Sequence, residues 1–371
     1  MKRLLTNMPL TTSAIAQHFR QQSTLVRVLL ITLALSLLGA ILAWHTLLQA
    51  WLVAWVLLAV LPLGAIALLM VHGLTGGAWG YESLHLWRNV AATMPLFALT
   101  LLPLLLGLDV LFPWTAPIEE LPEVVRNKQA YLNKPFFIAR TLFYLAAWTV
   151  LAWWLTRPTP ARRWHALGLI VWALTLTFFC YDWLMSLEPT FYSDIYGLEV
   201  MAISVASVMA FGLLVGAARL RSAVRLDLAN LWLSILLAWA FFAFSQLIII
   251  WSANMPHEIG WYLHRREESW LLIGRIGVLL FLVIPFAMLL PTAAKYRSGW
   301  LQATAAICLT GHVLHVHWLV WPSFTTSGWA FLLGPLAIVT LAAAGLWWIG
   351  PDRRRELIAF HPAEEERHGR T

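Results

Sequence analysis

Cysteine is nearly missing from this chain: Cys180 and Cys308 are the two in 371 residues, and each sits inside an apolar run. That spacing excludes a C-x-x-C pair, a c-type haem attachment and an iron–sulfur ligand set, and leaves a packed core thiol for each. Charge is equally scarce. Charged residues make up 12% against 60% hydrophobic, and the mean hydropathy is +0.73, which excludes a soluble globular domain and indicates a polytopic membrane protein. The single glycine-rich turn, Gly73 to Gly77 after His72, lacks the lysine and following soluble helix of a phosphate loop. No tandem repeat is visible. A cleavable signal peptide is not expected either, because the first apolar run is too long and has no small-residue cleavage site.

What the chain has in abundance is apolar runs long enough to cross about 30 Å of hydrocarbon. They read at 25–45, 49–72, 89–111, 135–156, 165–187, 195–218, 228–252, 269–292, 298–320 and 329–349, which predicts an all-α fold of about ten transmembrane helices. The expected organisation is a cytoplasmic N-terminal segment 1–24, a membrane domain 25–350 and a cytoplasmic tail 351–371. With both ends inside, the outer loops hold only Arg126, Lys128, Lys134, Arg265 and Arg266. The other Lys and Arg, apart from Arg140 and Arg275 within spans, fall on the inner side, as the positive-inside rule requires. The net charge of +7 therefore reports topology and contact with anionic lipid, and gives no reason to invoke nucleic acid. Of the 23 tryptophans, Trp44, Trp51, Trp55, Trp153, Trp154, Trp347 and Trp348 read by default as interfacial anchors.

Five charges lie inside the runs, all near their outer ends: Asp109, Arg140, Asp182, Glu199 and Arg275. A charge at bilayer depth costs about 2.5–3.5 kcal/mol on insertion scales, so such residues are expected to turn toward the bundle interior or a water cavity. Opposite charges at one depth pair to offset desolvation, leaving a carboxylate able to take up and release a proton. Asp182, roughly 7–8 Å below the interface at 1.5 Å per residue, is the expected proton-exchange site, helped by Glu188, Glu199 and Arg140. A purely structural ion-pair network is the competing reading. His312 and His315 share one face of the ninth span while His72 lies near the inner end of the second. A bis-histidine haem needs ligands on facing helices at matched depth, so these residues read as packing histidines or as a proton relay.

The outer loops 112–134 and 253–268 concentrate paired charge and aromatics. They read as docking surfaces, with Trp261, Tyr262 and Glu258 the candidate contacts; an ordinary solvated loop is the plainer alternative. The stretch Glu364 to Glu366 belongs to a short polar tail expected to be disordered.

Four segments carry a resemblance: His72-Gly-Leu-Thr-Gly-Gly-Ala-Trp79-Gly80, Tyr131-Leu-Asn133-Lys-Pro135-Phe-Phe-Ile-Ala-Arg140, Asp182-Trp183-Leu-Met-Ser186-Leu-Glu188-Pro189 and Trp251-Ser-Ala-Asn254-Met-Pro256-His-Glu258-Ile-Gly-Trp261-Tyr262. In order and spacing they resemble the F subunit of bacterial alternative complex III, within the polysulfide-reductase-type (NrfD-like) membrane subunits. Thr190, where relatives often have histidine, and His257, where an acid is expected, depart from that pattern. The resemblance implies two four-helix bundles near spans two to five and six to nine, with a peripheral helix at each end. It implies a cofactor-free subunit of a quinol:electron-acceptor oxidoreductase in the bacterial cytoplasmic (inner) membrane, conducting protons. Its implied partners are a homologous quinone-binding membrane subunit and outer-side subunits bearing haem c and iron–sulfur clusters. Two other functions stay open: a chain that itself binds quinone near Asp182, Arg140 and His315, and a secondary transporter. The latter calls for helices broken at midplane, and Pro62, Gly64, Gly212 and Gly216 are too scattered to argue for them.

Overall fold

The computed structural model describes residues 12–157, 162–254, 256–324 and 330–350. It is all-helical. Among the described residues, ten helical runs are long and apolar enough to cross a membrane: Thr24–Leu42, Trp44–Thr75, Ala78–Leu111, Lys134–Leu155, Arg162–Leu187, Tyr196–Gly216, Ser222–Ser252, Ser269–Leu289, Ser298–Ser323 and Leu332–Ile349, here spans 1 to 10. They match the ten expected runs. The segment expected to precede the membrane domain is partly helical, since one helix runs Thr12–Leu42 into span 1. Residues 1–11 and the tail 351–371, with Glu364 to Glu366, lie outside the described residues.

Span 2 is the axis of the molecule. It is apolar on every face, the pattern of a helix with no side left for solvent, and almost all of it is buried against spans 3, 5, 6 and 10. Its approach to span 6 requires a glycine: a Cβ on Gly64 would lie 2.1 Å from the Ser204 carbonyl oxygen, a backbone atom that cannot swing aside. Span 4 packs on spans 3 and 5, span 9 packs on 6 and 8, and span 7 lies along 6 and 8. Spans 1 and 10 pack on each other and on span 2, with Ser36 and Thr340 within hydrogen-bond distance (3.5 Å).

Span 3 is not a continuous α-helix. It stops at Ala91, restarts at Met94 with Pro95 in its first turn, and becomes a 3-10 helix over Leu102–Gly107, where Pro103 again takes an early position. Proline removes a donor and displaces the carbonyl one turn back, and carbonyls freed in hydrocarbon must find donors. Tryptophans supply them: Trp348 Nε1 donates to Ala92 O (2.9 Å), Trp55 Nε1 to Phe97 O (2.8 Å) and Trp51 Nε1 to Thr100 O (2.8 Å). The interfacial reading of Trp55 is thereby corrected, since it is buried in the core. Span 8 carries the second irregularity, a π-turn over Leu279–Val283 followed by Pro285, a feature frequent at functional sites. It fits against Gly311 of span 9, whose Cβ would meet Phe281 N at 2.2 Å.

Candidate functional site

Polar groups gather at one end of the helical array, where the segments 112–133, 188–195 and 253–267 lie. Asn133 caps span 4 by accepting from Phe136 N (3.0 Å), a helix start with Pro135 next to it. That cap turns the preceding chain so that the Tyr131 carbonyl accepts from Arg140 Nη1 (3.0 Å). The guanidinium lies over the Tyr131 and Phe136 rings, 3.8 and 4.2 Å from their centres. Its remaining face grips Asp182 in a two-pronged pair, Nε to Oδ2 (2.9 Å) and Nη2 to Oδ1 (2.8 Å). Tyr144 adds a third bond to Oδ2 (2.8 Å), and Asp182 is fully buried. Ser186 Oγ donates to the Asp182 backbone carbonyl and accepts from Trp114 Nε1 (3.1 Å). The expected pairing of Arg140 with Asp182 is present, and it occupies both carboxylate oxygens.

Glu188 belongs to a different cluster. Its Oε1 accepts from Arg265 Nη1 and Ser323 Oγ (both 2.7 Å), while Oε2 lies 2.9 Å from His264 Nδ1. Arg265, 1% exposed, also donates to the carbonyls of Trp261 (2.8 Å), Leu319 (2.8 Å) and Trp318 (3.2 Å). One guanidinium thus fastens three loops together. Trp261 lies beneath it, ring centre 3.7 Å from the guanidinium carbon, stacked on Phe191 and 4% exposed. Its expected role as a docking anchor is corrected: the ring that looks free in the sequence is spent on its own chain. Tyr262 is partly exposed and accepts from Gln246 Nε2 (3.2 Å), and Glu258 is half-buried within electrostatic range of Lys128.

Glu199 and His315 form the third group, deeper and less bonded. Glu199 is 4% exposed, His315 is 2% exposed, and Oε1 to Nε2 is 3.5 Å. This is ion-pair reach without a hydrogen bond, and both His315 nitrogens have no hydrogen-bond partner among the described residues. Trp239 meets the imidazole edge-on and Phe281, on the π-turn, stacks on it. Spans 6, 7 and 9 carry further buried polar groups. His312 is one turn further along span 9, and its Nε2 carries a proton because it donates to the Leu57 carbonyl (3.0 Å). Its Nδ1 is left unpaired, as are Ser207 Oγ on span 6 and the indole N–H groups of Trp239 and Trp232 on span 7. Asn230, exposed and on another face of span 7 from Trp232, accepts separately from the buried Lys295 (2.7 Å) at the opposite end of the array. Buried donors and acceptors rarely go unsatisfied. Sequence reading singled out Glu199, His312 and His315 but missed Ser207, Trp232 and Trp239. The signal available was their seven- or eight-residue spacing along spans 6 and 7, two turns on one face.

The other candidates fall outside these clusters. Asp109 pairs with Lys134 at the rim, with both side chains largely exposed. Arg275 is exposed on the flank of span 8. Neither turns inward, which corrects the expectation that all five charges face the interior. His72 lies at the other end of span 2, near the Gly77 carbonyl (3.2 Å) and packed edge-on against Trp79 and Tyr81. It closes the turn whose Gly76 and Gly77 have φ of 70° and 105°, values that favour glycine.

Beside the Arg140 cluster a cleft of about 450 Å³ opens between Tyr131, Phe178, Tyr181, Phe191 and Tyr192. The loop phenols around it titrate high. Burial and then Asp182 push Tyr131 up, burial pushes Tyr262 up, and the hydrogen bond to Asp194 followed by burial lifts Tyr192 to about 12. A phenol whose folded value is raised contributes stability below its ordinary value of 10.0 that is lost as pH climbs through the folded value. Burial lowers Lys128 from 10.5, which opposes the trend only below that pH. Hydrogen exchange at 112–133, 188–195 and 253–267 is therefore expected to accelerate above about pH 10.5, before the spans respond. Exchange that accelerates first within span 2 would contradict this.

Comparison with protein-family models finds no match for this chain, and comparison with curated proteins finds none.

Proposed function

We propose that this chain is a proton-conducting, cofactor-free membrane subunit of a quinol:electron-acceptor oxidoreductase of the alternative complex III type. The observation that carries the proton role is the buried pair of Glu199 and His315, with His312 one turn along span 9. A carboxyl group beside an imidazole with two unpaired nitrogens has what a relay needs, a proton donor and an acceptor within reach of each other. Asp182, held by three side-chain hydrogen bonds, serves as the brace for the same end of the molecule. The membership rests on the four motifs, three of which supply the clusters described above: 131–140 the Arg140 cap, 182–189 both Asp182 and Glu188, and 251–262 the segment seated under Arg265.

In this reading the chain lies N-in and C-in in the bacterial cytoplasmic membrane, and the Asp182 end faces outward. Spans 2 to 5 and 6 to 9 act as two four-helix bundles joined along spans 2 and 6, with spans 1 and 10 peripheral. Quinol oxidation in a neighbouring membrane subunit sends electrons to outer-side haem and iron–sulfur centres, and this chain offers a second path for protons. The broken span 3 and the π-turn of span 8 favour a transporter less, because they do not occupy corresponding places in the two halves.

Isolation of the intact complex from native membranes tests the reading. The chain is expected to co-purify with haem- and iron–sulfur-bearing polypeptides and to hold no redox centre after separation from them. A stoichiometric haem or metal signal in the separated chain, or its isolation without redox partners, would overturn the assignment. A second reading, that quinone binds in this chain, is favoured by the cleft beside Tyr131, whose aromatic wall and few polar groups suit a head group. A photoreactive quinone that labels Tyr131 or Tyr192 would support it.

A further inference from the structure

Arg275 lies about six residues into span 8, roughly 9 Å below its start at 1.5 Å per residue. It is exposed, and no described residue pairs with it. Around it runs an apolar stripe at helical spacing: Leu272 (59% exposed), Ile276 (37%), Leu279 (44%) and Val283 (48%). The other charges of the same layer are matched within the chain, Asp109 by Lys134, Asp182 by Arg140, Glu188 by Arg265 and Glu199 by His315. Among the described residues of this layer Arg275 is the cation left over, and it is exposed.

We infer that this flank of span 8 is an interface for a membrane helix of another subunit, which presents a carboxylate to Arg275 and apolar side chains to Leu272, Ile276, Leu279 and Val283. The inference rests on the reading of the chain as part of a larger membrane complex and adds the face and the chemistry of the contact. A guanidinium on a lipid-facing helix is costly, and that cost is reduced when a carboxylate accepts two of its N–H donors in a bidentate pair. A lipid phosphate is the weaker occupant. Side chains on a helix lean toward its N-terminus, so a snorkelling Arg275 would reach the rim where Arg266 and Glu267 are both exposed. A stripe flanking the arginine on both sides, by contrast, suits a helix running alongside.

The experiment uses the complex in its native membranes. Arg275→Glu is expected to lower the amount of neighbouring membrane subunit that co-purifies by about tenfold or more, while Arg275→Lys retains most of it. A spin label on Leu272→Cys is expected to be shielded from membrane-dissolved oxygen in the complex. The native Cys180 and Cys308 are buried and do not compete for label. Because Arg275 is exposed and has no hydrogen bond or ion pair to a described residue, the charge reversal is expected to leave the fold intact. Full retention of partners in Arg275→Glu, together with a label in free contact with oxygen, would overturn the inference and assign Arg275 to lipid. A wild-type chain that purifies with no partner at all would instead overturn the reading on which the inference rests.

Discussion

Asp182→Asn is expected to destabilise the chain by about 3–5 kcal/mol, the cost of stranding a buried guanidinium. The amide keeps the shape but loses the charge that Arg140 Nε and Nη2 address, and one of its two former oxygen positions becomes a donor facing another donor. Arg140 is held in place by the Tyr131 carbonyl and by two rings, with a side chain only 10% exposed, so it has little freedom to turn to water. The expected readouts are a lower unfolding temperature of the purified complex and accelerated exchange at 112–133. Protons released per electron should be unchanged. A stable Asp182→Asn complex with impaired proton release would make Asp182 the exchanging group and reverse the assignment of roles.

Glu199→Gln is expected to act in the opposite way. Glu199 touches His315 at ion-pair distance without a hydrogen bond, so the amide replaces it with little loss of packing. What disappears is the proton the carboxyl can carry. Loss of a positioned acid or base typically slows proton transfer by about 10²-fold, and coupled proton release in reconstituted vesicles should fall accordingly while the complex assembles at normal yield. His315→Asn should give the same phenotype, because Glu199 would then face Trp239 and Phe281 with no basic nitrogen to relay. Normal proton release in both variants would remove Glu199 and His315 from the mechanism.

The ten spans could be read from hydropathy because a bilayer demands about twenty apolar residues whatever the packing. The shared depth of the charges was legible for the same reason: residue count along a helix is distance. Which way each charge faces was not. Arg140 and Arg275 look alike in sequence, each within the first turns of an apolar span, yet one is wrapped in rings and the other bare. In helices apolar on every side, the 3.6-residue pattern that marks the buried face is absent. The break in span 3 was hidden differently. Pro95 and Pro103 sit at early helix positions where proline is tolerated, and the indoles that satisfy the freed carbonyls come from Trp51, Trp55 and Trp348, remote in sequence. Trp261 misled because aromatics in charged loops mark interfaces and buried loop cores alike; only the position of Arg265 above it decides.

In the proposed role Glu199 changes its protonation during turnover while Asp182 remains a charged brace, and infrared difference spectroscopy of the intact complex on quinol addition tests this most directly. The expected result is a carboxyl C=O band that appears in the wild-type complex, persists in Asp182→Asn and vanishes in Glu199→Gln. A band that vanishes in Asp182→Asn and survives in Glu199→Gln, or no carboxyl band in the wild type, would contradict it.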